Sequence, residues 1–269
     1  MSNQVVSEPL LDHLDSVTAL LTPRLGVFCD LDGTLSPIVG DPMAAHATKE
    51  ARRSLATIRR LGAYVAVVSG RSAAVARAMV GLRGITYVGN HGLEWYEGGR
   101  LRRVPGLRRA RSVITRLRDL LTPRLSAWGV TVEAKEVGLA LHFRRAPDPT
   151  SARAALEAIL NETPEVGDLV RMEGRQVIEL RAEAAETKGT AVCRLAERHG
   201  LRNLLYLGDD YTDLSAFAAV RQLCLEGIAG LAIAVVDDET APEVEAAADY
   251  VLAGVPEVER FLAWLAAAL

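Results

Sequence analysis

The sequence predicts an α/β fold interrupted by an α+β module, and three observations predict it. Short unbroken apolar runs (Leu25-Gly-Val-Phe-Cys29, Tyr64-Val-Ala-Val-Val68, Leu204-Leu-Tyr-Leu207, Leu231-Ala-Ile-Ala-Val235) have the length and continuous hydrophobicity of strands in a parallel sheet covered on both faces. Stretches of helical periodicity alternate with them. Between about 99 and 183 this rhythm gives way to an α-β-β-α-β-β order and then resumes. The expected organisation is a core of 1–98 and 184–269 with an inserted domain of 99–183.

In chain order, Leu10, Leu11, Leu14, Val17, Leu20 and Leu21 recur at helical spacing and predict a helix over 3–22, stopped by Pro23. A strand over 25–30 follows. Ala47 to Leu61 predicts a helix that Thr48 caps, without a capping box because Ala51 stands at its third position. After the strand at Tyr64, Ser69-Gly70-Arg71 leads into a helix from Ser72 to Val80, and Thr86 to Val88 is a short strand. In the inserted module, Leu107 to Trp128 is helical with a break or kink expected at Pro123. Strands follow at 130–132 and 139–143, then a helix at 148–161 opened by Pro149, and a hairpin around Gly174. The core resumes with a helix from Lys188 to His199, the strand at 204–207, a helix, the strand at 231–235, a short strand at Tyr250 and a terminal helix.

The bulk numbers exclude several classes. With 269 residues, 49% hydrophobic, there is ample material for a buried core. A net charge of −3 gives no general attraction to nucleic acid or to an anionic membrane. The three cysteines, Cys29, Cys193 and Cys224, form no CxxC and suit a reducing cytoplasm. No apolar run reaches membrane-spanning length, and the first residues lack the pattern of a signal peptide.

The chemistry concentrates where strands end. Asp30 and Asp32 flank one turn at the end of the first strand, and two carboxylates so close call for a cation or a shared proton. Ser69-Gly70-Arg71, Thr187-Lys188-Gly189 and Gly208-Asp209-Asp210-Tyr211-Thr212-Asp213 follow in order. Together the four segments resemble the haloacid-dehalogenase-like phosphatases. That resemblance implies a Rossmann-like core with a parallel sheet, Asp30 as nucleophile and Asp32 as general acid and base. It implies Mg²⁺ held by Asp30, the backbone carbonyl of Asp32 and Asp209, with Asp213 in or behind that set. Ser69 and Lys188 would bind phosphoryl oxygens, helped by the N–H groups of Leu31 and Gly70. On the residues alone, the lesser alternatives are a helix-surface charge or capping residue at Asp213 and a solvated helix-start lysine at Lys188, a place unfavourable for a cation unless it binds an anion. His91 either touches substrate, as Arg71 would, or bonds its own loop.

Three finer segments narrow the family. Asp30-x-Asp-Gly-Thr-Leu-x-Pro37, Val132-Glu133-Ala-Lys135 with Leu141-His142-Phe143-Arg144, and Gly174-Arg-x-Val-x-Glu179-Leu180-Arg181 before Lys188-Gly189 resemble the trehalose-6-phosphate phosphatases. Gly89-Asn90-His91-Gly92-Leu93-Glu94 also fits. The resemblance implies a type C2 cap at 99–183 that closes over the site, with Glu133, Lys135, Glu179 and Arg144 contacting glucose hydroxyls. It also implies the last step of trehalose synthesis in the cytoplasm and allows association with a trehalose-6-phosphate synthase. Sucrose 6-phosphate and mannosylglycerate phosphate are the alternative substrates, and a non-catalytic binding domain is the alternative class. Where the family has proline after the Glu-x-Arg and Asp or Asn before Lys-Gly, this chain has Ala182 and Thr187.

Overall fold

A computed structural model describes residues 7–40, 44–105, 107–135, 138–174, 176–182 and 186–269; the side chains of 108–110, 135, 168, 181 and 182 lie outside that description. In order, the elements are β1 (Glu8–Pro9), α1 (Leu14–Thr18), β2 (Leu25–Cys29), α2 (Lys49–Arg60), β3 (Tyr64–Val68), α3 (Ala73–Val80), β4 (Thr86–Gly89), β5 (Glu94–Glu97) and β6 (Arg100–Arg103). Then come α4 (Leu107–Ser126), β7 (Thr131–Lys135), β8 (Gly138–His142), α5 (Pro149–Asn161), β9 (Leu169–Gly174) and β10 (Val177–Ala182). The chain continues with α6 (Lys188–His199), β11 (Asn203–Gly208), α7 (Leu214–Leu225), β12 (Ala229–Val236), α8 (Pro242–Ala247), β13 (Tyr250–Ala253) and α9 (Gly254–Ala268). It divides into two compact units, Met1–Arg102 with Glu186–Leu269, and Arg103–Ala185.

The first unit is built on a sheet in the order β1-β13-β12-β11-β2-β3-β4-β5-β6. β2 pairs in parallel with β11 and β3, whereas β4 and β5 run antiparallel, so the sheet is mixed. Alternate strand residues face opposite sides, and both sides are covered. Val27, Cys29, Val65, Val67, Leu205 and Leu207 pack with buried residues of α2, α3 and α9. Phe28, Ala66, Val68, Leu204 and Tyr206 pack with Ala191, Val192 and Leu195 of α6 and Phe217 of α7. This two-sided covering is why the strands read as continuous apolar runs.

The second unit has an antiparallel sheet in the order β7-β8-β10-β9. Leu139, Leu141, Ile178 and Leu180 on one face pack with Ile114, Leu117 and Leu121 of α4 and Leu156 of α5. Register puts Glu133, Ala140 and Glu179 in one row across the opposite face, and Thr131, His142 and Val177 in the next.

Four expectations need correction. The helix expected over 3–22 is, from residue 8 onward, the two-residue strand β1, a 3₁₀ turn at Leu10–Asp12 and the short α1. Pro9 fixes an extended backbone (φ −61°, ψ 123°) that pairs with β13 instead of continuing a helix. β5 and β6 were not anticipated, and they make the sheet mixed where a parallel one was expected. The helix α4 is not broken at Pro123 but ends three residues beyond it, at Ser126. Finally, β7 extends the strand expected at 130–132 as far as Lys135. Elsewhere Thr48 does cap α2, accepting from Ala51 N at 3.2 Å.

Candidate active site

β2 ends at Cys29, and Asp30 follows as the chain leaves the sheet, its N–H still donating to Leu207 O of β11 at 2.8 Å. Strand pairing thus places the turns after β2 and β11 side by side. Asp30 and Asp213 are buried, and with Asp209 they form a cluster in which one carboxylate oxygen of each lies within 4.8 Å of the others. Gly33 makes the approach possible: its φ is +79°, and a Cβ there would sit 2.0 Å from Asp209 Oδ2. Thr34 Oγ1 donates to Asp209 Oδ1 at 2.9 Å and orients that carboxylate.

Lys188 enters from the first turn of α6 and is 1% exposed. Its Nζ lies 2.8 Å from Asp213 Oδ1 and 3.1 Å from Asp30 Oδ1. The first contact is a hydrogen bond; the second is an ion pair off the hydrogen-bonding angle, which leaves Asp30 Oδ1 buried without a donor. Asp213 is fully engaged by the protein. It accepts from Lys188, from Tyr206 OH at 2.5 Å and from Asp210 N at 3.2 Å. Asp213 is therefore the third residue of a capping box whose cap is Asp210, as well as a member of the acidic cluster, and Lys188 is a buried ion-pair partner, not a solvated helix-end lysine. Thr187 caps α6 reciprocally with Thr190, at 3.1 and 2.8 Å, the work an Asp or Asn would do there.

The electrostatics of the three carboxylates favour positive charge beside them. Burial, opposed by Lys188 and reinforced by Asp213 and Asp209, pushes the Asp30 carboxyl well above the usual carboxylate range. Burial and the Asp213 charge push Asp209 up to about 7. Burial alone would lower the Lys188 ammonium, but Asp30 and Asp213 more than reverse it, so lysine stays charged. An orphaned buried oxygen, oxygen-only donors and repelling carboxylates are what a small divalent cation relieves. In EDTA, folded Asp209 keeps a proton up to about pH 7 that the same side chain in the unfolded protein loses near 3.8. Between those values folding is opposed by roughly 1.4 kcal/mol per pH unit for each such proton. Thermal melts in EDTA are therefore expected to show a falling midpoint as pH rises from about 4 to 7, and excess Mg²⁺ to flatten the fall.

Asp32 points elsewhere. Arg71 holds its carboxylate in a two-pronged pair, Nε to Oδ2 and Nη2 to Oδ1, both at 2.7 Å. Ser69, buried after β3, accepts from Arg71 N at 3.1 Å through its hydroxyl oxygen, so the hydroxyl proton stays available. His91 N donates to Ser69 O at 3.0 Å, and the His91 ring lies against Gly70, where a Cβ would come within 2.7 Å. His91 carries a left-handed φ of 56°, a backbone state that non-glycine residues adopt at a cost. The first unit thus brings together Asp30, Asp32, Ser69, Gly70, Arg71, His91, Lys188, Asp209 and Asp213. Thr34 and Tyr206 escaped the sequence reading; a tyrosine within the apolar run 204–207 was the one available signal.

In the second unit Glu133 and Glu179 share a cross-strand row. Glu133 Oε2 is 2.9 Å from His142 Nε2. Lys135 closes β7 beside Gly138, but its side chain lies outside the described residues. Arg144 lies off that row, lining a cavity of about 470 Å³ with Thr131, His142, Arg145, Gln176 and Val177.

Buried Lys188 thus ties Asp30 to Asp213, beside Asp209, on an α/β sheet covered on both faces. A haloacid dehalogenase-like hydrolase of solved structure from Bacteroides thetaiotaomicron shares the fold over 90% of this chain and 98% of its own, at a TM-score of 0.61 and 15% identity. The sequence model of the trehalose-phosphatase family matches residues 28–256, and the chain belongs to that family. A trehalose-phosphate phosphatase of Mycobacterium marinum is 35% identical over 268 aligned residues, covering 96% of this chain and 66% of the relative. This chain therefore spans just under two thirds of that relative's length. The C-terminal domain of a trehalose-6-phosphate phosphatase from C. albicans has the same fold, with a TM-score of 0.76 at 24% identity, over 98% of this chain and 99% of that one.

Proposed function

We propose that this chain hydrolyses trehalose 6-phosphate to trehalose and inorganic phosphate through a phosphoryl group carried on Asp30. The observation that carries the chemistry is the buried Lys188 between Asp30 and Asp213, beside Asp209. Family membership and the Glu133–Glu179 row support the sugar.

In this reading Lys188 and the Ser69 hydroxyl hold the phosphoryl oxygens. An Asp30 oxygen forms a bond to phosphorus as the bond from phosphorus to the sugar oxygen breaks. Asp32 gives its proton to that leaving oxygen, then takes one from the water that attacks phosphorus and frees Asp30. Arg71 must release Asp32 for either transfer, since both carboxylate oxygens are occupied in the pair. Asp30, Asp209 and the Asp32 carbonyl would hold Mg²⁺, with Asp213 positioning Lys188. When bound, the ion supplies positive charge that lets a carboxylate approach a phosphate dianion. The unit 103–185 is the type C2 cap of this reading, and Glu133, Lys135, Glu179 and Arg144 contact glucose hydroxyls. His91, against Gly70, is a further substrate contact. The setting is the cytoplasm: the three cysteines are free, and no helix among the described residues is long and apolar enough to cross a membrane. A trehalose-6-phosphate synthase is the proposed partner, because its reaction class supplies the phosphorylated disaccharide.

The test is phosphate release with Mg²⁺ from trehalose 6-phosphate, sucrose 6-phosphate, mannosylglycerate phosphate and glucose 6-phosphate. Trehalose 6-phosphate is expected to turn over at least about tenfold faster, the worth of one or two sugar contacts. Equal rates on all four would remove the substrate assignment. No release from any would point to a binding domain.

A further inference from the structure

We propose that the opposite, amino-terminal edge of the large sheet carries a second anion site, one that takes a small phosphate-bearing ligand. A cavity of about 480 Å³ lies there, lined among others by Arg24, Arg59, Arg60, Tyr64, Gly84 and His199. Its described lining contains no carboxylate. The whole chain carries a net charge of −3, so this local positive charge does not follow from the overall charge balance.

The arginines arrive from different elements. Arg24 immediately precedes β2, in a left-handed conformation with φ 75°. Arg59 and Arg60 end α2. Arg59 is already fixed: its Nε donates to Gly84 O at 2.7 Å, and its guanidinium lies so close over Gly84 that a Cβ there would be 2.4 Å from Nη2. Among the described residues, Arg24 and Arg60 have no ion-pair or hydrogen-bond partner for their side chains. His199, at the end of α6, stacks on Tyr64 with ring centroids 4.1 Å apart, and its Nε2 is 2.8 Å from Glu97 Oε1. One wall of the cavity is thus an aromatic pair held in place, and the rim is a set of fork-shaped donors.

Basic residues at helix ends ordinarily complement the negative pole of the helix. That accounts for Arg59 and Arg60 beside α2 and for His199 beside α6. It does not account for Arg24, which precedes a strand, nor for the gathering of cations around one hollow, where they repel one another. An anion removes that repulsion, and guanidinium forks match phosphate oxygens in pairs.

The site is separate from the carboxylate centre. β2 begins beside the cavity with Leu25 and delivers Asp30 at its other end; β3 begins with Tyr64 and delivers Ser69; α6 ends with His199 and begins with Lys188. A strand of this length spans about 17 Å. Occupancy of one site therefore does not exclude occupancy of the other, and two anions per chain are expected.

The test is calorimetric titration of the full chain with inorganic pyrophosphate in EDTA. The wild type is compared with Arg24→Ser/Arg60→Ser and, as a charge-matched control on α2 away from the cavity, Lys49→Ser/Arg53→Ser. All three retain the carboxylate centre, so any binding there is common to them. The wild type and the control should show a class of site that the cavity variant loses or binds at least about tenfold more weakly, and Arg60→Ser alone should give an intermediate loss. Circular dichroism should be unchanged, since Arg24 and Arg60 are exposed and unpartnered. Superimposable titrations of wild type and cavity variant overturn the proposal. So does an equal loss in the control, or removal of the binding by sodium chloride at matched ionic strength, which would mark an ion atmosphere.

Discussion

Asp30→Asn is expected to leave a folded protein that releases phosphate from trehalose 6-phosphate at least about 10⁴-fold more slowly, the scale on which removal of an attacking group acts. The amide has the carboxylate's shape but cannot form the bond to phosphorus. Folding should survive because the carboxylate at this position is under strain from its neighbours. It is buried, shares Lys188 with Asp213, and is pushed well above the carboxylate range by desolvation and by Asp213 and Asp209. A neutral side chain loses the 3.1 Å ion pair but is relieved of that repulsion. A melting midpoint in EDTA within a few degrees of wild type, with activity gone, is the expected pattern. Full activity in the variant would falsify the assignment of the nucleophile.

Lys188→Met is expected to damage activity and stability together. Methionine fits the aliphatic path of the lysine, but it strands Asp30 and Asp213 in a pocket where Lys188 is 1% exposed. Removing one partner of a buried ion pair costs about 3–5 kcal/mol. For a chain of this size that is a fall in Tm of roughly 10 °C. Adding Asp213→Asn should recover part of the loss, because the stranded charge goes with it, whereas two independent sites would simply add. Activity should not return with stability, since the phosphoryl oxygens still lack the ammonium. A single variant that melts with the wild type would show that the lysine does not hold the two carboxylates in solution.

What was legible in the sequence was what local chemistry writes directly. Asp30, Ser69 and Asp209 each stand just past an apolar run, so the strand ends and the acidic centre could be read together. The pair between Arg71 and Asp32 could not. They are 39 residues apart, and their meeting depends on the turns after β2 and β3 aiming side chains at each other. Thr34 and Tyr206 were hidden for a similar reason: a hydroxyl acquires its role only when Asp209 or Asp213 arrives beside it. β5 and β6 are short and polar, Glu94–Glu97 and Arg100–Arg103, and lie toward the sheet's edge, so no apolar run announces them. The amino-terminal segment misled because leucines at helical spacing outweighed one proline. Pro9 reversed that reading through its fixed backbone angle.

The position of β2 has a consequence for how the protein ages and fails. Four strands flank it on either side in the sheet, so its amides are shielded from both directions. Regions that open below the global unfolding free energy are fraying edges and thinly packed loops, and β2 is neither. Its amides, with that of Asp30 bonded to Leu207 O, should exchange with deuterated water last. Heating should then inactivate the protein along the same curve that unfolds it, as followed by tryptophan fluorescence. Loss of activity well below that transition would mean that the strand carrying the nucleophile opens on its own.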